Sequence, residues 1–98
     1  MQSDRTFKSE LVSRSESTPE TVATAGAWEL WRVEPSLPFE IEYDRAVTFF
    51  AVSGHAEITF NDGTLLDVRA GDLVTIRPPL KGVWRVIEPI ENRYQYHT

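Results

Sequence analysis

The 98-residue chain contains no cysteine, which excludes disulfides, thiolate nucleophiles and cysteine-held metals. Positive charge is also scarce. Ten Lys and Arg stand against fifteen Asp and Glu, giving a formal charge of −5 and a pI of about 4.9. Ten scattered cations do not form the basic patch that a nucleic-acid-binding face requires, so no nucleic-acid partner is expected. Long hydrophobic runs are missing. Nothing approaches the roughly 20 apolar residues needed to cross a bilayer, so no membrane partner is expected either. The opening MQSDRTFKSELVS lacks the apolar centre of a secretory leader, and a cytoplasmic location is the expectation. Histidine is limited to His55 and His97, which leaves little imidazole chemistry.

What is present is enough apolar material for one core. Hydrophobic residues make up 41% of the chain and aromatics 11%, which places it among globular domains rather than disordered segments. The first 27 residues differ from the rest. Nine of the first 24 are Ser or Thr, and Phe7, Leu11, Val12 and Val22 are the only sizeable apolar side chains that could dock. This segment, 1–27, reads as an N-terminal arm with one short strand, and 28–98 as the barrel domain. Thr18-Pro19-Glu20 has the form of a helix start, with Thr18 as cap and Pro19 in the first turn, and Gly26 ends it after one or two turns.

From Trp28 onward the period is two. Phe39, Ile41 and Tyr43 alternate with Glu40, Glu42 and Asp44, as a half-buried strand requires. Val47 to Val52 is apolar on both faces, and Ser53-Gly54 punctuates it. Ala56, Ile58 and Phe60 follow in alternation. Asn61-Asp62-Gly63-Thr64 is a hairpin signal, and Ala70-Gly71-Asp72 is a second tight turn. Leu73 to Ile76 and Val83 to Ile87 read as strands, Arg77-Pro78-Pro79 as a break between them, and Arg93 to His97 as the last strand. Short strands between regular turn signals, without helical periodicity, indicate an all-β sandwich or barrel.

One block is more specific: Val52-Ser53-Gly54-His55-Ala56-Glu57-Ile58, then Asp62-Gly63, then Ala70-Gly71-Asp72-Leu73-Val74-Thr75-Ile76. It resembles the core of a cupin. With the tail Lys81-Gly82-Val83-Trp84-Arg85-Val86-Ile87-Glu88-Pro89, and with Trp28 and Trp31 ahead of the acidic strand, the chain resembles one branch. That branch is the small single-domain cupins grouped with ureidoglycine aminohydrolase and the ethanolamine-utilisation cupins. The resemblance implies a double-stranded β-helix, the cupin jelly-roll barrel, built from two antiparallel sheets with at most one or two short N-terminal helices. It also implies a pocket at one end. In metal-binding cupins two His and a Glu precede the strand-ending Gly, and a third His sits on a later strand. Here Val47 stands where the Glu belongs, and the third His falls on Gly82. The paired His positions fall on Ile41 and Tyr43 in one register or on Glu40 and Glu42 in the other. No metal and no cofactor are therefore expected.

The pocket candidates are Tyr43, Arg77 and Trp84. Tyr43 falls on a ligand position, and Trp84 shares strand parity with Gly82. An aromatic pair with one polar tip suits a small ring. Arg77 replaces the usual proline at the pocket rim, where it could clamp an anion. The competing reading makes Tyr43 and Trp84 core filler. His55 should point away from the core, His97 reads as frayed tail, and Glu40, Glu42 and Asp44 read as a solvated stripe. Phe50 and Val52, apolar on the face opposite Phe49, predict a homodimer. The expected function is metal-independent binding of a small anionic or cyclic metabolite. Two alternatives are an aminohydrolase- or epimerase-like enzyme and a structural or regulatory protein with a degenerate pocket. The lost metal positions count against the aminohydrolase, and the lack of an inward His counts against the epimerase.

Overall fold

The turn residues do what their chemistry allows. At Asn61–Thr64 the Gly63 N–H donates to Phe60 O at 3.0 Å, and the Asp62 carboxylate accepts from Thr64 N–H at 2.9 Å. At Ala70-Gly71 the buried Asp72 carboxylate accepts from Arg69 N–H at 2.8 Å. Thr18 caps the helix as expected, its Oγ1 accepting from Thr21 N–H at 3.1 Å, with Pro19 in the first turn and Gly26 at the end.

A computed structural model describes residues 6–97, so residues 1–5 of the arm and Thr98 lie outside the described residues. The order is β1 (Phe7–Lys8), β2 (Val12–Glu16), α1 (Pro19–Ala25), β3 (Glu29–Val33), β4 (Phe39–Tyr43), β5 (Val47–Phe60), β6 (Leu65–Arg69), β7 (Asp72–Ile76) and β8 (Leu80–Tyr96). Every strand pairing is antiparallel. One layer runs β1-β2-β7-β5-β8-β3 and uses the first half of β5 with the second half of β8. The other runs β6-β5-β8-β4 and uses the remaining halves. The chain is thus an all-β jelly roll of two layers that share two long strands.

Two boundaries differ from the sequence reading. Gly54 does not end a strand, and Pro89 does not separate two. Each sits at a bend inside a longer strand, where the β5–β8 register shifts between Ala51 and Ala56. The bends fit because Gly54 has no side chain. Its φ is +97°, and a Cβ there would lie 2.0 Å from the Pro89 carbonyl oxygen and 2.7 Å from Ile90 Cα. Proline is tolerated at the bend because no ladder hydrogen bond is required of it there.

Between the layers lies one core. Ile58, Leu66, Val68, Val74, Ile76 and Ile90 are fully sealed from solvent, each contributing about 1.5–3 kcal/mol of transfer free energy. Within the segment read as an arm, β2 pairs along the whole of β7, and Val12 enters this core. Helix α1 packs against β5, and Phe50 is half-buried while Val52 keeps 39% of its surface exposed. The chain therefore covers part of the second apolar face itself. Among the described residues no helix is long and apolar enough to cross a membrane.

Candidate functional site

Alternation along four strands builds a cavity at one end of the barrel. On β4, Ile41 and Tyr43 point inward and Glu40 and Glu42 outward, which settles the register left open by the sequence. On β5, Val47 and Phe49 point inward. Trp84 comes from the first half of β8, Asn92, Tyr94 and Tyr96 from its second half, and Trp31 from β3. The cavity is open at its mouth and has a volume of about 180 Å³. An apolar cavity of roughly 150 Å³ holds a benzene ring, so this one has room for a single ring with small substituents.

The walls are aromatic. Trp31 meets Trp84 edge-on with centroids 5.0 Å apart, Phe49 lies 5.7 Å from Trp84, and Tyr94 meets Tyr96 edge-on at 5.7 Å. Among the described residues, none that lines the cavity carries a charged side chain. Trp84 Nε1 donates to Tyr43 Oη at 2.8 Å, deep in the barrel. Burial pushes the Tyr43 phenol up to about 12, against the hydrogen bond from Trp84, which lowers it, and with a contribution from Tyr96. Tyr43 is thus a neutral O–H donor at pH 7 and not a base. Asn92 is the other fully buried polar side chain of the lining; Trp31, Tyr94 and Tyr96 bring further N–H and O–H groups nearer the mouth. It is 2% exposed, and its Oδ1 has no hydrogen-bond partner among the described residues. A buried acceptor left in this state costs about 1–3 kcal/mol.

The structure brings Tyr43 and Trp84 together and leaves Arg77 outside. Ile76 is buried, so the next residue along the strand direction faces out, and Arg77 is exposed with its backbone N–H on Leu11 O at 2.8 Å. A different arginine stands by the cavity. Arg45, in the β4–β5 turn, places its guanidinium carbon 4.2 Å from the centroid of the Tyr96 ring that lines it. The sequence reading missed Asn92, Tyr94 and Tyr96. Their signal was the period-two series Ile90, Asn92, Tyr94, Tyr96, which the supposed break at Pro89 obscured.

The residues do not fit a divalent metal. Ile41, Tyr43, Val47 and Gly82, on which the sequence resemblance puts the ligand positions of a metal-binding cupin, offer no imidazole and no carboxylate. Gly82 has no room for a ligand either, because a Cβ there would lie 2.9 Å from Ile58 Cγ2 and 3.2 Å from Phe60 Cε1. Among the described residues no three His, Asp or Glu side chains converge as a metal site.

Both histidines lie away from the cavity. His55 is on the outer face of β5, its Nε2 2.6 Å from Asp67 Oδ1, while Arg69 Nε donates to Asp67 Oδ2 at 2.8 Å. Burial raises Asp67, but the hydrogen bonds and charges of Arg69 and His55 outweigh it and hold the carboxyl at about 2. This cluster ties β5 to β6. His97 is not frayed: its N–H donates to Ala46 O at 2.9 Å, and its Nε2 lies 2.7 Å from Thr48 Oγ1.

A family model described as the EutQ-like cupin domain matches residues 21–94, which hold nearly all of the two shared strands and most of the cavity lining. The chain belongs to the EutQ-like cupin family. Its fold is similar to that of a DUF861 family protein from Thermotoga maritima, with 32% identity, a TM-score of 0.81, and 88% of this chain and 99% of that chain covered. Two more distant structures show likeness of fold alone. One is protein NMB1881 from Neisseria meningitidis, at 11% identity and a TM-score of 0.61, covering 98% of this chain and 84% of that one. The other is Streptomyces PAC13, solved with uridine, at 15% identity and a TM-score of 0.50, covering 94% and 82%. No curated protein matches this cupin.

Proposed function

We propose that this cupin is a metal-independent binding module that takes a small, uncharged cyclic metabolite into the barrel cavity. The observation that carries this reading is the lining: six aromatic side chains around about 180 Å³, with no charge among them. Aromatic walls favour ring faces and edges, and the lack of a cation disfavours an anion in the buried part. This narrows the earlier anionic-or-cyclic alternative to a ring. Tyr43 and Trp84 serve as the floor, with the phenol O–H available to a ligand acceptor because its oxygen already accepts from Trp84.

Catalysis is disfavoured by the same lining. Proton transfer at neutral pH is best served by an imidazole or a carboxyl, and the polar groups of the cavity are phenols, indoles and one amide. The test is a thermal-shift and calorimetric screen of small ring compounds against the wild type and Ile41→Trp, which fills the cavity from its half-exposed wall. A ring that binds the folded state raises Tm, by the equivalent of about 2.7 kcal/mol at a hundred times its Kd. The expected result is ring hits in the wild type that vanish in Ile41→Trp. Hits that persist in that variant, or no ring hit at all, would overturn the reading. Turnover of a hit without metal would replace binding by catalysis.

A further inference from the structure

We infer that the ring taken by this cavity carries an N–H and a C=O side by side on one edge, as in a cyclic amide, imide or ureide, and that Asn92 reads that edge. The inference rests on the cavity-binding reading above and specifies its ligand class. Asn92 points inward from β8 between Ile90 and Tyr94, with its backbone already paired to Trp31 and Ala51 in the two neighbouring strands. Its side chain is therefore not needed to complete the sheet. It is 2% exposed and lines the cavity, and its Oδ1 receives no hydrogen bond from the described residues. Neighbouring wall residues Val47 and Phe49 carry no donor at all. An apolar residue at this position would suit the core, so the amide is explained by what enters the cavity rather than by the fold.

A carboxamide presents an acceptor and two donors on one planar end. The group that satisfies it in a two-point contact is another amide in cis geometry, which within one small ring means a lactam edge. The neutral Tyr43 O–H adds a donor for a further carbonyl, which extends the class from lactams to imides and ureides. A lone water is the competing occupant, and it would give the cavity no preference among rings.

The test compares 2-pyridone with 2-pyrone, which have the same shape but differ by an N–H replaced by a ring oxygen. Binding is measured by calorimetry on the full chain, wild type and Asn92→Leu, with circular dichroism confirming the fold of the variant. The expected result is that wild type prefers 2-pyridone by at least about tenfold, since a site built to hydrogen-bond a donor rejects the isostere that lacks it. Asn92→Leu should lose that preference while still binding toluene. Equal affinity of wild type for 2-pyridone and 2-pyrone would overturn the inference while leaving the ring-binding reading intact. Failure of toluene, 2-pyridone and 2-pyrone alike in wild type would overturn both. Should Asn92→Leu not fold, the wild-type pair alone decides.

Discussion

Replacing Asn92 by leucine should make the ligand-free protein more stable. The amide is 2% exposed and its Oδ1 has no partner among the described residues, so the ligand-free folded state carries the desolvation of that acceptor without compensation. Removing such a group recovers about 1–3 kcal/mol. Leucine repeats the branching of asparagine at Cγ, so it takes the place of the amide with little displacement of the walls and leaves the cavity open. Taking about 2 kcal/mol as the net gain, and about 4–8 °C of Tm per kcal/mol for a domain of this size, Tm should rise by roughly 8–16 °C. Thermal and urea unfolding followed by tryptophan fluorescence would measure it, with an unchanged urea m-value showing that only stability moved. A Tm equal to or below that of wild type would refute the reasoning, because it would mean that the amide is satisfied in the folded state. Together with the ring preference, the outcome would show that this position was kept polar at the expense of stability.

Four further outcomes follow from the geometry. Tyr43→Phe should lose about 1–3 kcal/mol in urea unfolding, because Trp84 Nε1 is left without its acceptor, and Trp84→Phe should then cost less in that background than alone. Gly54→Ala should lose more than about 4 kcal/mol and fail to give a cooperative transition, since its Cβ would meet backbone that cannot move aside. Asp67, held at about 2, contributes stability above its unfolded pKa of 3.8 that is lost as pH falls from about 4 to 2; Asp67→Asn should flatten that limb of the stability profile. Light scattering at micromolar concentration should give twice 11.2 kDa, with Val52→Glu returning the single-chain mass; a wild-type monomer would count against a homodimer.

The sequence was informative where physics is local. Asn61-Asp62-Gly63, the Thr18 cap and the alternation of Phe39, Ile41 and Tyr43 each depend on neighbouring residues only, and each sits as its chemistry requires. Tyr43 and Trp84 could be paired because both sit where the family resemblance puts pocket residues. What depends on long-range packing was not legible. That β8 continues through Pro89 rests on Gly54, some 35 residues earlier, making room for the bend. Without that continuity Asn92, Tyr94 and Tyr96 had no face to share. The His55–Asp67 contact likewise needs the β5–β6 register, which spacing alone does not supply. Arg77 was placed by family position against its own strand parity, and parity prevailed.

Sharing β5 and β8 between the layers limits how the cavity can respond to a guest. In a sandwich of independent sheets the layers can slide or part to admit a larger molecule. Here the same two backbones form both walls, and at the corner Gly54 touches Pro89 and Ile90 without a side chain's width to spare. The spacing between walls is therefore a fixed gauge. Accommodation is left to the chain between β3 and β4, where Leu37 is 87% exposed, and to the half-open rings of Tyr94 and Tyr96. Selectivity should accordingly be steep in the thickness of a ring and shallow in the length of any substituent that leaves through the mouth.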